Sequence, residues 1–185
     1  MDAIQIHGLR IRQDHQVLMD GFSLRLPAGG CCTITGPSGS GKSTLLSCLL
    51  GFITPESGSI EILGRRLDAG TVWSLRRKIA WVPQEADLGQ GTGREFLHRP
   101  FTFRANKGLD APDNMAPELA ERFLLPPGTL DKKVELLSGG EKQRLALISA
   151  LTLRRPILLL DEASSALDPA SRDAVAKYLR NSTNA

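Results

Sequence analysis

The sequence predicts an α/β fold in which helices cover both faces of a parallel sheet. Residues 31–35 and 157–160 are short apolar runs without alternation, which is typical of strands buried in a parallel sheet. Helix patterns separate the strand patterns along the chain, as an α/β topology requires. Residues 4–11 alternate between apolar and polar side chains, which indicates that half-buried antiparallel strands precede this core.

The remaining elements are predicted from periodicity and from Gly and Pro positions. From about residue 86 to 136 the chain is rich in Gly, Pro and charge, which indicates an inserted helical lobe; with the helix that follows, this gives a helical subdomain over about 86–150. Strands are predicted at 22–26, 60–63 and 79–82, and helices at 42–51, 113–124, 138–153 and 169–179.

Size and composition favour one globular domain over residues 1–185. The net charge of +3 is too small to indicate a nucleic-acid partner. The sequence contains neither an apolar run long enough to span a membrane nor a secretory signal. Three cysteines without framework spacing indicate reduced thiols, a cytoplasmic location and a role as core fillers.

The segment Gly36-Pro37-Ser38-Gly39-Ser40-Gly41-Lys42-Ser43 fits the pattern G-x-x-x-x-G-K-[ST] between a predicted strand and a predicted helix. Its glycines allow backbone N–H groups to surround a phosphate, and the helix adds the positive end of its dipole. Lys42 is predicted to reach the β- and γ-phosphates and Ser43 to bind Mg²⁺. We call residues 36–43 the cradle; Thr44 is included in the predicted nucleotide site. The alternative is a glycine-rich turn with an incidental lysine.

Two carboxylates, Asp161 and Glu162, end the apolar strand at 157–160. Ligands of parallel sheets lie at the carboxyl ends of the strands, so this acidic pair is predicted to lie beside the cradle. Asp161 is then a Mg²⁺ ligand, and Glu162 polarises the attacking water. The alternative is a strand end that meets solvent with acidic side chains.

Three further segments, in this order along the chain, make the sequence resemble the ABC (ATP-binding cassette) ATPases. Gln84 resembles the Q-loop glutamine, residues 137–144 (Leu-Ser-Gly-Gly-Glu-Lys-Gln-Arg) the signature segment, and residues 165–168 (Ser-Ala-Leu-Asp) the D-loop. Independently of the family, Ser138 and Glu141 form the pattern of a capping box at the start of a helix. Asp168 fits an N-cap before Pro169.

The resemblance implies the ligands ATP and Mg²⁺ and a head-to-tail dimer of two such domains. Ser138, Gly139 and Gly140 would cap the γ-phosphate that Lys42 of the partner subunit holds. Gln84 would sense Mg²⁺ and water, and Asp168 would shape the dimer seam. The resemblance also implies a peripheral position at the inner face of the membrane, where a separate transmembrane permease docks on the helical lobe and Gln84.

The sequence departs from the family pattern in two places. Arg12 stands where the family has an aromatic residue that stacks on adenine, and a guanidinium can also lie flat on a base. The expected final strand and its histidine are missing before Ala185, so the chain is predicted to be shortened at its C-terminus. Unpaired backbone groups would result, and nucleotide binding would survive better than turnover.

The predicted function is the ATP-hydrolysing subunit of a membrane transporter. Residues 121–126 together with the signature segment resemble short bacterial ATPases implicated in iron or metal-stress export. Two alternatives stay open: an ATPase of DNA repair or translation, and a binding module that does not hydrolyse ATP.

Overall fold

The computed structural model describes residues 1–13 and 16–183, which divide into two compact units, Met1–Ile79 and Ala80–Thr183. None of the helices in these residues combines the length and apolar character needed to cross a bilayer. The strands are β1 (Asp2–Gln13), β2 (Gln16–Pro27), β3 (Ser57–Ile62), β4 (Arg65–Arg66), β5 (Ile79–Val82) and β6 (Ile157–Leu160). The α-helices are α1 (Lys42–Leu49), α2 (Val72–Arg76), α3 (Gly93–Thr102), α4 (Met115–Arg122), α5 (Gly139–Thr152) and α6 (Pro169–Thr183).

The first unit contains an antiparallel sheet with the strand order β2-β1-β3-β4, as the N-terminal alternation predicts. In β1, Ile4, Ile6, Leu9 and Ile11 are buried, so the buried positions change from even to odd numbers. A register shift between Ile6 and Leu9 accommodates this change, and Gly8 adopts a φ of 55° there. The bulge therefore keeps both halves of β1 facing the same core.

The predicted strand at 31–35 is wrong. These residues lie outside the six strands found in the described part of the chain, and all but Ile34 are exposed. An apolar run becomes a strand only where a neighbouring strand accepts its hydrogen bonds, and this segment is in neither sheet. Cys31 and Cys32 are exposed as a result, whereas Cys48 is buried as a core filler should be.

Helix α1 begins at the cradle and is closed at its other end by an arginine from α2. Arg76 donates from Nε to the carbonyl oxygen of Leu50 at 2.6 Å and from Nη2 to that of Gly51 at 2.9 Å. Its guanidinium lies 4.4 Å from the ring centre of Phe52 and 4.9 Å from that of Trp73, both exposed. Gly51, with a φ of 65°, ends the helix as predicted.

The second unit is built around α5 and the two-stranded parallel sheet of β5 and β6. The predicted helices at 113–124, 138–153 and 169–179 correspond to α4, α5 and α6. Helix α3 was not predicted, although its capping box is visible in the sequence: Thr92 accepts from the N–H of Glu95, whose carboxylate accepts from the N–H of Thr92. Pro100 lies inside α3, and proline in a helix interior is unfavourable, so the segment did not match the pattern of a helix.

Candidate functional site

The cradle lies in the first unit and has the backbone that its glycines predict. Gly39 and Gly41 adopt φ values of 78° and 89°, which glycine reaches without strain. Gly41 is the N-cap of α1, and a methyl group on it would lie 3.0 Å from Cβ of Leu18 on β2. The hairpin of β1 and β2 therefore packs closely against the point where the loop becomes a helix.

Lys42 bends back over the loop that precedes it. Its Nζ donates to the carbonyl oxygens of Gly36 at 3.0 Å and Pro37 at 2.9 Å. These two hydrogen bonds hold the ammonium group over the cradle and satisfy two backbone acceptors. The hydroxyl-bearing Ser43, on the exposed side of the first turn of α1, is the other predicted ligand side chain here.

Arg12 lies near the end of β1 and is held by a carboxylate. Its Nε donates to Oε2 of Glu56 at 3.2 Å, and this hydrogen bond is the main cause of a lowered pKa at Glu56. The next residue, Gln13, accepts a long hydrogen bond of 3.5 Å from the hydroxyl of Thr44 on α1. The predicted base contact, Arg12, therefore belongs to a strand end that touches the helix of the cradle.

The acidic pair lies in the second unit, at the end of β6 next to β5. The N–H of Asp161 donates to the carbonyl oxygen of Val82 at 2.9 Å, two residues before Gln84. Asp161 is buried, whereas Glu162 and Gln84 are exposed. Glu162 adopts a φ of 48°, a left-handed backbone that costs a residue with a Cβ about 1–3 kcal/mol and is concentrated at functional sites.

The capping box at Ser138 is confirmed. The hydroxyl of Ser138 accepts from the N–H of Glu141 at 3.3 Å, and the Glu141 carboxylate accepts from the N–H of Ser138 at 2.8 Å and from its hydroxyl at 2.7 Å. Ser138 and Gly139 are exposed. The start of α5 is thus a fixed helix end whose small residues face solvent.

The D-loop segment packs on the first turn of α5. A methyl group on Gly140 would lie 2.9 Å from the carbonyl oxygen of Ala166, whereas one on Gly139 would meet no atom of the described part of the chain within 4 Å. Asp168 caps α6 as predicted, because its carboxylate accepts from the N–H of Ser171 at 3.0 Å. The hydroxyl and N–H of Ser171, with help from the Arg144 guanidinium, lower the pKa of Asp168.

We expect Gly140→Ala to destabilise the fold by about 1–3 kcal/mol, because the added methyl meets backbone that cannot turn away. Gly139→Ala is the matched control. It should leave stability unchanged or raise it by about 0.5 kcal/mol, since alanine restricts the unfolded chain. Urea unfolding of both variants measures the difference, and equal stabilities would contradict the contact with Ala166.

The capping box should also give α5 a pH dependence. Hydrogen bonds from the Ser138 hydroxyl and then its N–H hold the pKa of Glu141 below its ordinary value of 4.5. A carboxylate with a depressed folded-state pKa stabilises the fold above 4.5, and this contribution is lost as the pH falls through the folded value. The stability advantage of the unchanged chain over Glu141→Gln should therefore shrink between about pH 5 and pH 3. Parallel pH profiles in urea unfolding would contradict this.

The predicted site residues fall into two sets. The first unit holds Arg12, the cradle and Thr44; the second holds Gln84, Asp161, Glu162 and the residues Ser138, Gly139 and Gly140. Within the second unit, Asp161 is joined to β5 and the D-loop segment to the signature segment. The predicted approach of the acidic pair to the cradle stays a prediction.

Sequence reasoning gave no role to two residues that join these segments. Gln143 and Arg144 on α5 are both buried, and their polar groups contact Pro83 and Asp168, respectively. Polar side chains on the buried stretch of an otherwise apolar helix were the available signal.

Comparison with known proteins gives one consistent result. A family model described as "ABC transporter" matches residues 19–165. The chain is 38% identical over 181 residues to the energy-coupling factor transporter ATP-binding protein EcfA1 of Bacillus subtilis (strain 168), covering 93% of this chain and 62% of the relative. It is 35% identical over 191 residues to the Fe(3+) ions import ATP-binding protein FbpC of Yersinia pestis bv. Antiqua (strain Antiqua), covering 97% and 52%. The chain thus spans between half and two thirds of the length of these two curated relatives.

Solved structures agree with this result. A structure described as the ATP binding subunit of an ABC transporter matches with a TM-score of 0.86 at 25% identity, covering 98% of this chain and 75% of that one. A dimeric ATP-binding cassette in a post-hydrolysis state, bound to ADP and Pi, matches with a TM-score of 0.83 at 26% identity, covering 97% and 82%.

Proposed function

Because the chain belongs to the ABC transporter family as an ATP-binding subunit, we propose that it binds and hydrolyses ATP in a head-to-tail dimer that drives a transporter. The observation that carries this proposal is the start of α5. Ser138 and Gly139 form an exposed, capped helix end in the second unit, while the cradle belongs to the first. In a head-to-tail arrangement, each such helix end would meet the nucleotide of the other copy.

The residues fit a magnesium nucleotide. A methyl group on Gly36 would lie 2.8 Å from the Ser40 hydroxyl, so a side chain at that point would have to displace this hydroxyl. Hydroxyl and carboxylate oxygens suit Mg²⁺, which typically takes one or two carboxylates and completes its shell with phosphate and water. Ser43, Gln84 and Asp161 would hold the ion, which when bound neutralises charge on the phosphates.

The protein groups would then divide the work of hydrolysis. The cradle amides and Lys42 orient the phosphates and stabilise the negative charge that develops on them. Glu162, exposed at the end of β6, accepts a proton from or orients the attacking water. Ser138, Gly139 and Gly140 would add donors from the other copy, and Arg12 would lie against the base.

A groove beside Gln84 supports docking of a separate permease. It lies in the second unit and is bounded by three parts of the chain: β5 with the segment that follows it, helix α3, and helix α5. Exposed Trp81 and half-buried Phe96 contribute to its wall. Its lining is mostly apolar and comprises Ala80, Trp81, Pro83, Ala86, Asp87, Leu88, Phe96, Ala146, Ser149, Ala150 and Leu153. Such a surface fits an amphipathic helix laid into it.

ATP hydrolysis and dimerisation test the core of the proposal. At low protein concentration, the rate of Mg²⁺-dependent phosphate release should rise with the square of that concentration. The Glu162→Gln variant should elute as a dimer in size-exclusion chromatography only when ATP is present. Hydrolysis without dimerisation would contradict the head-to-tail sandwich. Nucleotide binding without hydrolysis would favour the alternative of a non-hydrolysing module.

Transport is tested by recovery of the partner. Co-purification of a membrane-spanning protein from detergent-solubilised membranes should fall for Trp81→Ser and persist for Leu124→Ser, which also alters an exposed apolar residue. Equal recovery would contradict docking at the groove. Recovery of DNA-repair or ribosomal proteins instead would favour the other alternative.

Metal export is the finer part of the proposal. Its support is the likeness of residues 121–126 and the signature segment to short bacterial export ATPases. The relatives' names mention iron in both import and cluster transport, so they do not favour a direction. Higher iron content in cells that lack the chain would support export, and lower content would contradict it.

A further inference from the structure

Arg144 is a buried cation in the second turn of α5. We propose that Arg144 is a positioning residue for ATP hydrolysis: it fixes the D-loop segment against the helix that begins with Ser138, Gly139 and Gly140. This inference rests on the proposed hydrolysis. It concerns residues of the second unit alone.

The arginine closes a small polar group. Its Nη1 donates to Oδ2 of Asp168 at 3.3 Å and also to the hydroxyl of Ser171. Ser171, itself buried, donates its N–H to the other carboxylate oxygen of Asp168 at 3.0 Å. Each of the three residues is therefore bonded to the other two, so the end of the D-loop segment cannot shift without breaking charge-assisted bonds.

A second contact lies one helical turn earlier. Gly140 and Arg144 are four residues apart and so share one face of α5. The first approaches the carbonyl oxygen of Ala166, and the second binds Asp168, two residues further along the D-loop segment. Two contacts in register fix both the position and the direction of this segment along the helix.

The neighbouring residue joins α5 to another predicted site. Gln143 is buried and its Nε2 donates to the carbonyl oxygen of Pro83 at 3.0 Å, directly before Gln84. Adjacent polar residues of one helix thus hold the segments that carry Gln84 and Asp168. A single rigid element relates both segments to the signature residues.

Stability alone gives a poor account of this arginine. Its Nε is buried and has no hydrogen-bond partner among residues 1–13 and 16–183, and an unsatisfied buried donor is unfavourable for folding. A well-packed apolar side chain often replaces a buried ion pair without loss of stability. Asp168 would not be left as a buried charge, because its side chain is 55% exposed. The benefit of Arg144 is therefore geometric.

The first test compares Arg144→Met, Arg144→Lys and Arg122→Met by steady-state kinetics and thermal unfolding. For Arg144→Met we expect kcat to fall about tenfold, because small displacements of the groups that align the reactants lower the rate by factors of this order. KM for ATP should change less than about threefold, because the cradle is untouched. Tm should shift by less than about 4 °C. Lysine, which can still reach one acceptor, should recover part of kcat. Arg122→Met, which changes an exposed side chain in the last turn of α4, should leave kcat unchanged.

A double-mutant cycle and amide exchange complete the test. Asp168→Asn keeps an N-cap but loses the charge, so Arg144→Met should lower kcat by a smaller factor in that background than in the unchanged chain. The amides of Ser165 and Leu167, which donate to the carbonyl oxygens of Glu162 and Ser164, should exchange faster in Arg144→Met. The amide of Phe123, just after α4, should stay unchanged.

Additive losses of kcat, unchanged exchange, or a kcat loss matched by a large fall in Tm would each overturn the proposal. Hydrogen exchange needs no turnover. If the unchanged chain hydrolyses no ATP, that failure belongs to the proposed function, and faster exchange would still establish the contact while the kinetic role falls.

Discussion

Glu162→Gln is expected to lower kcat for ATP hydrolysis by about 100-fold or more while the affinity for ATP stays within about threefold. The carboxylate is exposed at the end of β6, directly after the buried Asp161. Its φ of 48° holds the side chain in a conformation that a β-strand would not give it. An amide has the same shape but cannot accept the proton of the attacking water. Phosphate release and nucleotide titration measure the two quantities.

The control for this variant is Glu121→Gln, which neutralises an exposed carboxylate of α4 in the same unit. It should hydrolyse ATP like the unchanged chain. A Glu162→Gln protein that retains more than about a tenth of the turnover would exclude Glu162 as the general base.

Lys42→Ala is expected to weaken Mg²⁺-ATP binding about 10- to 100-fold. A hydrogen bond to a charged partner contributes about 1.5–3 kcal/mol, and each 1.4 kcal/mol is a factor of ten in affinity. The nucleotide must replace the bonds from Nζ to Gly36 and Pro37, so the loss lies in the lower part of the range if those bonds are strong. Titration with a fluorescent ATP analogue measures the change.

Lys78→Ala removes another lysine of the first unit, exposed and outside the cradle. Its affinity for the analogue should match that of the unchanged chain. An equal loss in both variants would mean that the overall charge of the unit, rather than the bent side chain of Lys42, attracts the nucleotide.

Local patterns were the part of the fold that the sequence could predict. The capping box of Ser138 and Glu141, the N-cap at Asp168 and the stop at Gly51 each depend on residues within four positions of one another. For the same reason the cradle has the backbone that its glycines predict. Local hydrogen bonds and glycine conformations are properties of short segments, so a sequence is enough to find them.

Features that depend on distant partners were missed or wrong. The apolar run at 31–35 is no strand, because pairing decides whether such a run is extended and buried. The bonds of Gln143 to Pro83 and of Arg144 to Asp168 join residues 60 and 24 positions apart. Nothing in a single sequence indicates which acceptor a buried polar side chain meets.

The hydrogen bonds of Arg76 to Leu50 and Gly51 fix the C-terminal end of α1. The helix has eight residues and so spans about 12 Å between the end that carries Lys42 and the end that Arg76 caps. The guanidinium that satisfies those last carbonyls is itself held between two solvent-facing rings, Phe52 and Trp73. Because both rings are exposed, a molecule that covers them would also lie against the guanidinium that closes this end of α1.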